Sequence, residues 1–184
     1  RAPDQPPALR RLQPGHRAPL LSLCDAYSAS RRGKPAAEAL QKIVASYGSR
    51  RSKELAAIHH RLAKAYLADG EKEQALAELD VAFKIDPGSI SVLRELGVLS
   101  MELADADPEK KDAHIDRAEK TVRALLLQKL DDSAPITKGE VFYYLGEISH
   151  RQGDDKKAQQ MLERSLDNQK DFAKAKELLS QIKK

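Results

Sequence analysis

The residues of this 184-residue chain that could bind a metal or attack a substrate are five histidines and one cysteine. His59 and His60 are neighbours, so on a helix their side chains diverge by about 100° and cannot both face one ion. His114 and His150 stand apart, with no Cys or carboxylate at ligand spacing. Cys24 shares a helical stripe with Leu20, Leu23 and Tyr27, where a free thiol behaves as a small hydrophobe. A nucleophilic Cys would need a His oriented by a third group, and no such arrangement can be read. Nor is there a glycine-rich phosphate loop, because the nine Gly are scattered. The expectation is no catalytic residue, no metal and no cofactor.

Charge offers a second kind of chemistry. From Arg1 to Lys53 there are 11 Lys and Arg against 3 Asp and Glu, leaving 21 against 25 in the remainder. Such asymmetry can mark a nucleic-acid or anionic-surface contact. The clusters Arg31-Arg32-x-Lys34 and Arg50-Arg51-x-Lys53 are separated by a helix, which puts them roughly 25 Å apart. They also lack interleaved aromatics for stacking on bases. Solvated loop charge explains them better. The acid-rich run Asp105 to Asp116 has interspersed Lys and lacks the spacing and Gly of a calcium loop.

The elements that must position these side chains are helices. Hydrophobic residues make up 41% of the chain but aromatics only 4%, so a core has to be built from Leu, Ala, Ile and Val. No apolar run approaches the ~20 residues of a membrane span. Arg1 to Pro19 is Pro-rich without an apolar signal region, and reads as a flexible linker in a piece of a longer protein. A single Cys fits a reducing compartment, and a cytoplasmic location is expected.

Helical periodicity begins at Leu20. Pro35 suits the first turn of a second helix that buries Ala36, Leu40, Ile43 and Val44, or alternatively Ala39, Ile43 and Tyr47. Two helices follow over Ser52 to Ala68 and Lys72 to Ile85, turned by Asp69-Gly70 and stopped at Asp86-Pro87-Gly88. Ser89 is placed to cap the next helix, to about Ala104. Asp107-Pro108 starts another, expected to run to Lys129, about 33 Å, and to overhang its neighbours by about two turns. Thr137-x-x-Glu140 reads as a capping box, and Phe172 to Lys183 as a final helix covering the end of the array.

Small and large residues recur in a fixed order through these helices. Leu62, Ala63, Tyr66, Asp69-Gly70, Ala75, Leu79, Ala82 and Pro87 form one set within residues 56–89. Leu145, Gly146, Ser149, Gly153, Ala158, Leu162 and Ser165 repeat it within 139–172. Leu93, Leu96, Gly97, Ser100, Ala118, Val122 and Leu125 make a third copy with nine extra residues. This order resembles the tetratricopeptide repeat, a 34-residue helix–turn–helix unit. The resemblance implies an all-α solenoid of antiparallel helix pairs in a right-handed superhelix. Residues 20–184 would be the helical domain: a degenerate pair at 20–50, repeats at 56–89, 90–130 and 139–172, and a capping helix at 172–184.

The first helix of each repeat carries a second stripe at spacings of 3 and 4. It holds His60 and Lys64, then Arg94, Val98 and Met101, then Tyr143, Glu147 and His150. By the same resemblance this stripe lines a concave groove for a peptide or helix of a partner protein, making the chain a non-enzymatic adaptor. The resemblance also offers a subtype whose Lys, Asn, Asn, Lys and Arg clamp a terminal carboxylate. No Asn stands at His60, Lys64, Arg94 or Val98, which argues against that clamp. Two other readings are nucleic-acid or anionic-surface binding through the basic third, and a regulatory segment of a larger enzyme. An exposed N-terminal apolar face would also allow self-association.

Overall fold

The computed structural model describes residues 14–48 and 51–183, with side chains from Ala18 onward. Among the described residues there are nine α-helices and no strand. They form two compact units, the first ending at Pro87 and the second beginning at Gly88.

The first unit holds α1 (Pro14–Ala29), α2 (Gly33–Tyr47), α3 (Lys53–Ala68) and α4 (Lys72–Ile85). Cys24, Ala36, Ala37, Leu40, Ile43, Ile58, Leu62 and Ala65 make its buried core, so α2 uses the first of its two possible faces. Small residues set how closely helices approach. A Cβ on Gly33 would stand 1.9 Å from the Ala65 carbonyl oxygen, so only a hydrogen fits there. The Gly33 N–H donates to Asp69 Oδ1 at 2.9 Å, tying the start of α2 to the end of α3. Gly70 takes φ 79°, the left-handed geometry that lets α3 turn into α4. Ser52 caps α3 by accepting from the Leu55 N–H at 3.1 Å.

Helix α1 differs from expectation. It begins at Pro14 rather than Leu20, with Pro19 inside it, so residues 14–19 of the expected linker are helical. Pro suits a first helical position, and five residues on it removes one intrahelical hydrogen bond. The remainder of the expected linker, residues 1–13, lies outside the described residues, as does Arg50 of the second basic cluster.

The second unit holds α5 (Ile90–Ala106), α6 (Lys111–Leu125), α7 (Lys138–Arg151), α8 (Asp155–Asn168) and α9 (Ala173–Ile182). Leu93, Leu96, Ala118, Leu125, Ala158 and Leu162 are almost fully buried. At Gly97 and Gly146 a Cβ would meet Val122 Cγ2 at 2.7 Å and Leu162 Cγ at 2.9 Å. Those two glycines let α5 seat on α6 and α7 on α8. The Ser165 hydroxyl donates to the Gly139 carbonyl at 2.7 Å, a buried polar link between α7 and α8.

The inserted residues do not build the long helix expected over Pro108 to Lys129. The Asp107 carboxylate accepts from the N–H groups of Glu109 and Lys110 and closes a 3₁₀ turn, Pro108–Lys110, ahead of α6. At the far end the N–H groups of Leu126, Leu127 and Gln128 bond three residues back, which unwinds the last turn. Helix α6 has 15 residues against 14 in α8, so no two-turn overhang exists. Ser89 occupies the cap position of α5, yet its side chain makes no capping bond. Thr137 and Glu140 do form both bonds of a capping box.

Candidate functional site

The eight stripe residues meet different fates. In the first unit His60 is half-buried and Lys64 exposed on α3. One position earlier, His59 Nδ1 lies 2.6 Å from Glu78 Oε2, joining α3 to α4.

In the second unit α5 presents Arg94, Val98 and Met101. Arg94 is half-buried and its Nε has no hydrogen-bond partner. Val98 is half-buried as well, but Met101 is only 4% exposed. The Arg151 guanidinium roofs it, with Nη1 4.0 Å from the Met101 sulfur. Arg151 also pairs with Asp105 on α5, at 3.0 Å from Oδ2, and with Glu147 one turn back on its own helix. It therefore clamps α5 to α7. Met101, expected on the groove surface, belongs instead to the packing beneath that clamp.

On α7 the structure brings Tyr143, Glu147 and His150 to one pocket of about 400 Å³, with Arg151 beside them. The opposite wall is α9, through Lys174, Glu177, Leu178 and Gln181. The spacing of four between Tyr143 and Glu147 puts both on the face that α9 overlooks. Tyr143 stacks its ring edge-on against Phe172, centroids 5.1 Å apart, and that contact helps fix the start of α9. Its hydroxyl donates to Glu147. Burial first, then the Glu147 charge and this hydrogen bond, push the Tyr143 phenol well above its ordinary pKa. It is a neutral donor at any physiological pH. His150 Nδ1 lies 2.6 Å from Asp155 Oδ1 across the α7–α8 turn.

A carboxylate network on the other side of α7 holds the unit in place. Glu119 on α6 receives Lys157 from α8 at 3.1 Å, Gln152 from the end of α7 at 2.8 Å, and Arg123 at 2.7 Å. Burial alone would raise its carboxyl. The hydrogen bonds from Gln152, Arg123 and Lys157 outweigh that and bring the pKa down to about 2.

The α9 wall was not assigned to the site by sequence. Leu178 lies on an apolar stripe that reads as packing, yet it is only half-buried. Lys174 and Glu177 read as solvent-facing. The i,i+4 spacing of Glu147 and Arg151 was the one available signal for the clamp. Among the described residues no three His, Cys, Asp or Glu side chains gather as metal ligands, and no helix is long and apolar enough to cross a membrane.

Residues 140–168 match the family model described as tetratricopeptide repeat. No curated protein sequence matches the chain. Among solved structures, one similar chain is YrrB, a tetratricopeptide repeat protein described as having an unusual peptide-binding site. Its TM-score is 0.65 at 18% identity, covering 86% of this chain and 72% of that one. A putative kinesin light chain from Podosopora anserina with nearly identical repeats gives a TM-score of 0.63 at 19% identity, covering 92% and 94%. The protein MamA gives 0.62 at 19% identity, covering 84% and 74%. Residues 140–168 thus match a tetratricopeptide repeat by sequence, and the helix hairpins, the small residues at their contacts and these likenesses give the chain an all-α helical-repeat fold.

Proposed function

We propose that the chain is a non-enzymatic protein-interaction module that receives an extended peptide segment of a partner in the α7–α9 pocket. The observation that carries this reading is the composition of that pocket. Leu178 and the Tyr143 ring offer apolar surface. Lys174 and Glu177 stand beside Leu178 on the α9 wall and form no side-chain ion pair with any described residue. A peptide with an apolar anchor and charges of both signs would satisfy these groups, and side-chain pockets of this kind give extended peptides their specificity. The half-buried Arg94 and Val98 would extend the surface on α5. His60 and Lys64 would give the first unit a related stripe.

A selection of random twelve-residue peptides against the intact chain tests the reading. A selected peptide should lose at least about tenfold in affinity when Lys174→Glu and Leu178→Ser are combined, a loss of about 1.4 kcal/mol. Helicity should stay unchanged. Equal affinity for the double variant would remove this pocket from the account.

A further inference from the structure

A separate pocket, also about 400 Å³, opens in the first unit where α3 begins and α4 ends. Leu55, Val81 and Ile85 line its interior, with Arg51, His59 and Lys84 around them. Val81 is one of the few large apolar side chains left substantially open, at 36% exposure. It does not lie on the stripe of first-helix residues discussed above, since Val81, Lys84 and Ile85 come from a second helix.

The pocket is electrostatically lopsided. Arg51 and Lys84 are exposed and form no ion pair with any described residue. No carboxylate is among the described residues that line it, and Glu78, the partner of its His59, is held at 2.6 Å. The first turn of α3 adds the positive end of a helix dipole, and Lys84 in the last turn of α4 offsets the negative end of that helix. Two unanswered cations thus flank an aliphatic floor.

We infer that this pocket docks an aliphatic side chain flanked by carboxylates in an extended acidic segment of a partner protein. The apolar floor gives the anchor a dry contact, and Arg51 and Lys84 meet the carboxylates on either side. The lining holds no Phe, Tyr or Trp for a nucleobase to stack upon, and its one imidazole, His59, is engaged by Glu78, which favours a peptide over nucleic acid. The excess of Lys and Arg before residue 54 would steer such a partner toward this end of the chain. The inference does not depend on the α7–α9 pocket.

The test uses the intact chain and an acetylated, amidated, fluorescently labelled peptide of sequence Glu-Asp-Glu-Leu-Asp-Glu. Binding is followed by anisotropy, and the site is located by amide chemical shifts. The leucine peptide should bind, shifting the amides of Leu55, Val81 and Ile85. A serine in place of the leucine should weaken binding at least about tenfold, and so should Arg51→Glu combined with Lys84→Glu. Because a charge reversal could disturb the fold, Val81→Ser supplies a second variant, expected to weaken only the leucine peptide. The proposal is overturned if leucine and serine peptides bind alike, or if the shifts fall on α7 and α9. It also fails if a thymidine oligonucleotide binds through Arg51 and Lys84 while the leucine peptide does not.

Discussion

Replacing Gly146 with Ala sets two effects against each other, and the structure decides between them. Ala in a helix interior is favoured over Gly by about 1 kcal/mol, so a Gly146→Ala variant with free space around it would be stabilised. Here the new methyl would lie 2.9 Å from Leu162 Cγ, 3.0 Å from its Cδ2 and 3.2 Å from the Ala158 carbonyl oxygen. Leu162 is fully buried, so its side chain has no open space to rotate into. Overpacking of this kind costs about 1–3 kcal/mol, plus the shift of α7 away from α8. The expected outcome is a net loss of about 1–2 kcal/mol, read as a lower urea midpoint by far-UV circular dichroism. Gly33→Ala should cost more, because its methyl would stand 1.9 Å from a backbone oxygen that cannot rotate aside. A rise in the Gly146→Ala midpoint, or a smaller loss at Gly33 than at Gly146, would refute the claim that close helix approach is what these positions require.

Three further outcomes follow from the same geometry. Thr137→Ala removes the hydroxyl that accepts from the Glu140 N–H at 3.2 Å and should cost about 1 kcal/mol, with Thr137→Ser restoring most of it in thermal melts. Glu119→Gln should cost about 1–2 kcal/mol near neutral pH, after allowance for partial solvent screening. The folded pKa of about 2 lies below the ordinary 4.5, so this stabilisation is present above pH 4.5 and fades as pH falls toward 2. The gap between wild type and Glu119→Gln should therefore close over that acid range; a gap that widened there would contradict the sign. Leu79→Ala, at a fully buried site, should cost about 2–5 kcal/mol, whereas Leu127→Ser at 84% exposure should change stability by less than about 0.5 kcal/mol.

Local chemistry was readable where one residue type has one structural use. Asp69-Gly70, Asp107-Pro108 and Thr137-x-x-Glu140 named their turn and their caps correctly, since a left-handed Gly or a capping carboxylate acts within three residues. The buried stripes through Leu62, Leu93 and Leu145 were equally legible from spacing. Lengths were less so. The end of α6 depends on a shift from four-residue to three-residue hydrogen bonds after Leu125, which no side chain there announces. The start of α1 at Pro14 shows that two prolines within six residues can still lie in a helix. Periodicity put Tyr143, Glu147 and His150 on one helical face, and all three line the α7–α9 pocket. Met101 is nearly buried, and one side chain in contact with its sulfur is an Arg fifty positions away in sequence, which spacing along one helix does not reveal. Leu178 was missed as a pocket wall because an apolar stripe at a chain end looks the same whether it is covered or open.

The guanidinium lying over Met101 also bears on oxidative damage. A thioether becomes a polar sulfoxide only when an oxidant can reach the sulfur. Of the two methionines in the chain, Met161 is half-buried on α8 while Met101 lies beneath Arg151. Peroxide should therefore convert Met161 first and leave the α5 sulfur reduced. That order preserves the joint between α5 and α7 in conditions where more exposed sulfurs are being oxidised.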